Sequence, residues 1–118
     1  KKLGGWGSQG PSLFDPRALA EYERCFAMPA TIHASCEDYR AAASIDLEHD
    51  RNDAARVTCP LLVLWGERGV VNALFRPLDD WRAVADDVHG RAMPTGHYIA
   101  EEAPEATLET LAAFLGGQ

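Results

Sequence analysis

In open α/β sheets, reactive side chains collect on the loops just past the C-terminal ends of strands. The chain has two such loops, Gly66-Glu67-Arg68-Gly69-Val70 and Pro94-Thr95-Gly96-His97-Tyr98. His97 is the candidate that stands out, because a glycine hinge sets it directly after a strand and histidine exchanges protons near neutral pH, as a general base must. The bland alternative is a histidine that caps the next turn or packs under the last helix. Tyr39 falls on the apolar face of a helix, where its hydroxyl must either find a buried partner or point into a cavity. His33 and Cys36 at i, i+3 with Glu48-His49-Asp50 could be drawn as metal ligands, but no paired motif completes them and the group crosses a connecting stretch, so no metal or other cofactor is assigned. Cys36 sits beside Glu37 and Asp38, not in the electropositive setting that makes a reactive thiolate, and reads as a small buried side chain.

Those residues need elements to position them. Asp15-Pro16 starts a helix, with Asp as N-cap and proline at the first helical position, running to about Ala27 with Leu19, Tyr22, Cys25 and Phe26 on its apolar face. Pro29 opens a second helix with Ile32, Cys36, Tyr39 and Ala43 aligned. The two make a hairpin, and the charged stretch from Ile45 to Arg56 reads as a short helix or a loop. Leu61-Leu62-Val63-Leu64-Trp65, ended by Gly66, has the continuous apolar character of a strand buried on both faces. A helix from Pro77, carrying Leu78, Trp81, Val84 and Ala85, leads to a weaker strand from Val88 to Met93. The last helix starts at Pro104 and stops at Gly116-Gly117. Trp65 and Trp81 are expected in the core, His89 and Glu101-Glu102 on the surface, and His49 in a tie between the helical and α/β parts. Strand, helix, strand, helix is the grammar of a parallel α/β sheet, and two strands need further strands from elsewhere. The expected organisation is a helical part over residues 1–50 and a C-terminal βαβα core portion over 51–118.

Composition bounds the function. The 118 residues carry 11 Lys plus Arg against 18 Asp plus Glu, a net charge of −7, with 47% hydrophobic residues. That is one globular domain at most, and an acidic one that lacks the basic patch nucleic acid or an anionic membrane would require. No apolar run reaches spanning length. Three cysteines without a CxxC fit a reducing cytoplasm. The chain opens on Lys1-Lys2 without Met or a signal segment, as expected of a processed chain or a fragment.

From about Phe26 onward the sequence resembles the fluoroacetate (haloacetate) dehalogenase group of the α/β-hydrolases. The resemblance lies in Cys36-Glu37-Asp38-Tyr39-Arg40-Ala41, Asp46-Leu47-Glu48-His49-Asp50, Leu64-Trp65-Gly66 and Gly96-His97-Tyr98-Ile99-Ala100-Glu101-Glu102-Ala103-Pro104. The resemblance makes the helical part over residues 1–50 a partial cap, and it implies a hydrolase that cleaves the carbon–halogen bond of a small haloacid in two steps. An aspartate displaces halide to form an ester, and a water activated by the family's histidine, matched by His97, hydrolyses it. Tyr39 matches the cap tyrosine that helps hold the departing halide, and Trp6 is placed as a wall of the pocket or its entrance.

Typical α/β-hydrolases carry the triad acid a few residues after this strand, where Gly69 stands here; Glu67 could substitute, while the dehalogenase group carries that acid after the preceding strand. Neither a Gly-x-Asp-x-Gly nor a Gly-x-Ser-x-Gly elbow occurs, so the nucleophile and the acid aspartate are expected outside these residues and the 118-residue chain alone is expected to be inactive. An epoxide hydrolase, in which a tyrosine protonates the epoxide oxygen, is the alternative within the fold, and a non-catalytic α/β fragment the alternative outside it. Dimerisation is left open.

Overall fold

The computed structural model describes residues 10–117, which fall into two compact units, one of Asp15–Ala55 and one of residues 10–14 with 56–117. The division thus follows Ala55, and residues 10–14 go with the α/β unit. Trp6 lies outside the described residues.

The helical unit holds α1 (Pro16–Phe26), α2 (Pro29–Ala42) and α3 (Ile45–Asn52). Its first helix begins as the sequence dictates. The Asp15 carboxylate accepts from the Arg17 backbone N–H at 2.8 Å and from the Arg17 guanidinium at 3.2 Å. The Arg17 side chain above all, then its backbone N–H, hold the Asp15 carboxyl below the ordinary carboxylate range. Glu21 is likewise lowered, first by its bond to Arg24. Each helix packs on the next, α1 on α2 and α2 on α3. The aligned face of α2 is not a core face here: Ile32 and Tyr39 are 48% and 59% exposed, and Cys36 is exposed rather than buried. Within this unit α2 is bordered by α1 and α3, and the rest of its circumference stays uncovered whatever its apolar pattern.

In the α/β unit, β1 (Leu61–Gly66) is followed by α4 (Val70–Leu74), α5 (Pro77–Val84), β2 (Val88–Met93), α6 (Ile99–Glu102) and α7 (Pro104–Gly116). The strands pair in parallel, Leu61 opposite Val88 through Gly66 opposite Met93. A parallel pair needs a crossover, and α4 with α5 supply it. At the lower end, Val57 bridges Ala85, and Arg56 reaches the carbonyls of Ala83 and Ala85 at 2.7 Å each, capping the last turn of α5. Gly90 sits so close to β1 that a β-carbon would meet the Val63 carbonyl oxygen at 2.1 Å. The buried apolar side chains are Phe14, Ala85 and Met93, joined by Thr95 and Thr107. Trp65 is half-buried and Trp81 43% exposed, so neither fills the core that a strand apolar on both faces predicts; a two-stranded sheet covers only part of them. Among the described residues no helix is long and apolar enough to cross a membrane.

Candidate active site

Both loops singled out in the sequence lie at the C-terminal end of the strand pair, and the backbone stitches them together. The Glu67 N–H donates to the Met93 carbonyl at 2.8 Å and the Arg68 N–H to the Thr95 carbonyl at 2.9 Å. Gly66, buried at the end of β1, stands so near that a β-carbon there would lie 1.6 Å from the Gly96 carbonyl oxygen. Only hydrogen fits in that gap. The loop expected over residues 66–70 gives way to a short helix, α4, already at Val70. It is fastened by Asn72, which accepts from the Trp65 indole N–H at 2.8 Å and donates to the Glu67 carbonyl at 3.0 Å.

His97 is therefore delivered by the turn between β2 and α6. Its ring stands edge-on to Tyr98, with centroids 5.1 Å apart, and Tyr98 packs edge-on against buried Phe14 at 5.2 Å. His97 lines a cavity of about 230 Å³ with Trp65, Gly66, Val71, Trp81 and Ile99 among the other walls. A histidine at the rim of a mostly apolar recess, on a loop braced by a second loop, has what a general base needs: a fixed position and partial exclusion of water.

The carboxylate nearest this turn is one the sequence reading placed on the surface. Glu102, at the end of α6, has a side chain only 4% exposed. Its Oε2 accepts from the Gly96 N–H at 2.6 Å and its Oε1 from the Tyr98 N–H at 3.2 Å, one bond on each side of His97. Arg68 approaches the same Oε2 at 3.8 Å. The pair Glu101-Glu102 is thus not simply a solvated helix start. Glu67, the other acidic candidate, is exposed on the turn after β1. The missed signal was spacing: a glutamate one helical turn beyond a Gly-His-aromatic turn comes back beneath the amides of that turn. Phe14 is buried too, although nothing in its neighbours marks it as a core residue.

The other sequence candidates take separate places. Tyr39 is on α2 in the helical unit. His49, on α3, and His89, on β2, are exposed, with His89 Nε2 2.8 Å from an Asp87 carboxylate oxygen. Among the described residues no three His, Cys, Asp or Glu side chains are grouped to hold a metal ion.

No family model matches the chain. It is 40% identical over 114 residues to the fluoroacetate dehalogenase of a Burkholderia species, covering 96% of this chain and 38% of that protein. It is 30% identical over 105 residues to the soluble epoxide hydrolase of Corynebacterium sp. strain C12, covering 88% of this chain and 35% of that one. A solved structure assigned as an α/β-hydrolase of Nostoc sp. PCC 7120 superposes with a TM-score of 0.89 at 53% identity, covering 97% of this chain and 39% of its own. The chain thus spans under two fifths of the curated relatives it matches, over their C-terminal part.

Proposed function

From an α/β-hydrolase segment homologous to a fluoroacetate dehalogenase, we propose that this chain is the C-terminal part of a hydrolase that cleaves the carbon–halogen bond of a haloacetate, with His97 as the base of its second step. The observation that carries the reading is the turn after β2: His97 lines the cavity and its backbone is hydrogen-bonded on both sides.

In the first step an aspartate carboxylate, contributed by the rest of the protein, attacks the halogen-bearing carbon; a carbon–oxygen bond forms and halide leaves with the bonding pair. In the second, His97 takes a proton from water and the resulting hydroxide adds to the carbonyl carbon of the aspartyl ester. The bond from that carbon to the glycolyl oxygen breaks, the leaving oxygen takes the proton back from His97, and the carboxyl so formed loses its proton to solvent to regenerate the aspartate. Halide departure demands donors, fluoride most of all, because its charge is compact and its bond to carbon strong. Tyr39 is assigned that role on the resemblance of its helix. Trp6 is proposed as a pocket wall on the same ground. The substrate is a small haloacid, no cofactor takes part, and the cytoplasm is the proposed compartment.

The test is a His97→Ala substitution in the full-length protein. A burst of about one halide per site should be followed by arrest, and a covalent mass increase of substrate size should persist on the enzyme. Rapid multiple turnovers would show that His97 is not the base. The 30% identity to an epoxide hydrolase supports a second reading, in which the ester forms by epoxide opening. A parent enzyme that leaves fluoroacetate and chloroacetate intact but forms the trapped ester with a small epoxide would favour it.

A further inference from the structure

We infer that Glu102 is a positioning residue for His97, holding the histidine in register for ester hydrolysis while touching no reacting atom. The inference rests on the reading of His97 as the base. It stands on the geometry of one carboxylate. Oε2 takes the Gly96 N–H at 2.6 Å and Oε1 the Tyr98 N–H at 3.2 Å, so the peptide groups before and after the His97 segment are tied to a single planar group. An ionised carboxylate accepting backbone N–H bonds makes charge-assisted bonds, stronger than those of a neutral acceptor.

The anchor is itself anchored. The Thr107 hydroxyl bridges the carbonyls of Ile99 at 3.1 Å and Ala103 at 2.7 Å, fixing the short helix that bears Glu102 to the head of α7. On the other side Arg68, the residue whose N–H bonds the Thr95 carbonyl, brings its guanidinium to 3.8 Å from Oε2. The side chain is 4% exposed, so water offers the two N–H groups no easy replacement when the carboxylate is removed. A base whose attacking water must be aligned to within a fraction of an ångström loses rate when its turn loosens, without any change in its own chemistry.

Because His97 acts after halide has left, the two steps separate a positioning role from a structural one. In full-length protein, Glu102→Gln keeps one acceptor oxygen and sets an amide N–H₂ against the second backbone donor. The expected result is a halide burst of parent amplitude and rate, followed by steady-state turnover slowed about 10- to 100-fold, with ester accumulating. Glu102→Asp, which keeps the charge but falls one methylene short, should recover part of that loss. Steady-state turnover equal to the parent's in Glu102→Gln overturns the inference. So does a parallel fall in burst and turnover in both variants, which marks Glu102 as necessary to the fold alone. His97→Ala run alongside keeps the premises apart. If it turns over freely, or if the parent releases no halide, the functional reading fails and the inference goes with it; if it traps the ester while Glu102→Gln behaves as parent, only the inference fails.

Discussion

At the scale of the residue, the two candidates for chemistry are distinguished by the step each would govern. On the proposed function His97 would act on the ester and Tyr39 on the departing halide, so their substitutions should leave different kinetic traces. Tyr39→Phe removes one hydroxyl from an aromatic ring of nearly the same shape. On α2 the residue is 59% exposed, so no core volume is at stake and stability should stay within about 0.5 kcal/mol. Losing one donor from a site that stabilises developing negative charge typically slows the assisted step by about 10²- to 10³-fold. The first-turnover halide burst of the full-length variant should slow by about that much, and more with fluoroacetate than with chloroacetate, because chloride carries its charge with less help. Rapid-quench halide measurement on both substrates reads this directly. An equal and small effect on the two would remove Tyr39 from the halide pocket.

At the scale of the element, the strand pair and its two end loops behave as one part, and glycine makes the contact possible. Gly66 closes β1 while its backbone presses on Gly96, one residue before His97. A methyl group at 1.6 Å from a carbonyl oxygen cannot be absorbed by a side-chain adjustment, since the neighbour is backbone. Gly66→Ala must therefore push the His97 turn away from β1. Overpacking of this kind costs about 1–3 kcal/mol, and the thermal midpoint of full-length protein should fall accordingly. If His97 is the base as proposed, ester hydrolysis should fall further than halide release, because the displaced loop carries it. The same contact shows what the sequence could and could not tell. Pro16, Pro29, Pro77 and Pro104 each mark a helix start that the structure contains, and the apolar run before Gly66 marks β1. These are local signals, written in propensity and periodicity. The burial of Glu102 and Phe14 is not local. It depends on amides and rings brought together by the fold, and a charged pair such as Glu101-Glu102 looks the same in sequence whether one member is wet or anchored. The exposure of Ile32, Cys36 and Trp81 errs the other way: an apolar stripe states that a face seeks cover, not which segment supplies it.

At the scale of the whole molecule, the proposed function divides the reaction, with the base in this chain and the nucleophile in the rest of the protein. A parallel sheet is stable when both faces and both edges are covered, and among the described residues two strands stand with one neighbour each. Around them Leu74, Phe75, Leu108 and Leu115 are 60–75% exposed. Single exposed apolar residues are ordinary on any protein surface, but Leu74 and Phe75 at the end of α4 and Leu108 and Leu115 on α7 leave apolar surface that the rest of an α/β sheet would cover. Two consequences should appear together when the 118-residue chain is prepared by itself beside the full-length protein. The isolated chain should enhance the fluorescence of an apolar-surface dye severalfold over the longer protein at equal molar concentration. It should also release no halide from fluoroacetate or chloroacetate under conditions where the full-length protein does, because neither nucleophile elbow occurs in its sequence. Adding the separately expressed remainder of the protein tests the link between these two properties. If the exposed apolar surface is where the rest of the sheet docks, dye fluorescence should fall as halide release appears, at one stoichiometry. Turnover by the isolated chain would place a competent carboxylate among these residues and redirect the search for the nucleophile to Asp46, Asp79, Asp80 and the other aspartates of the segment.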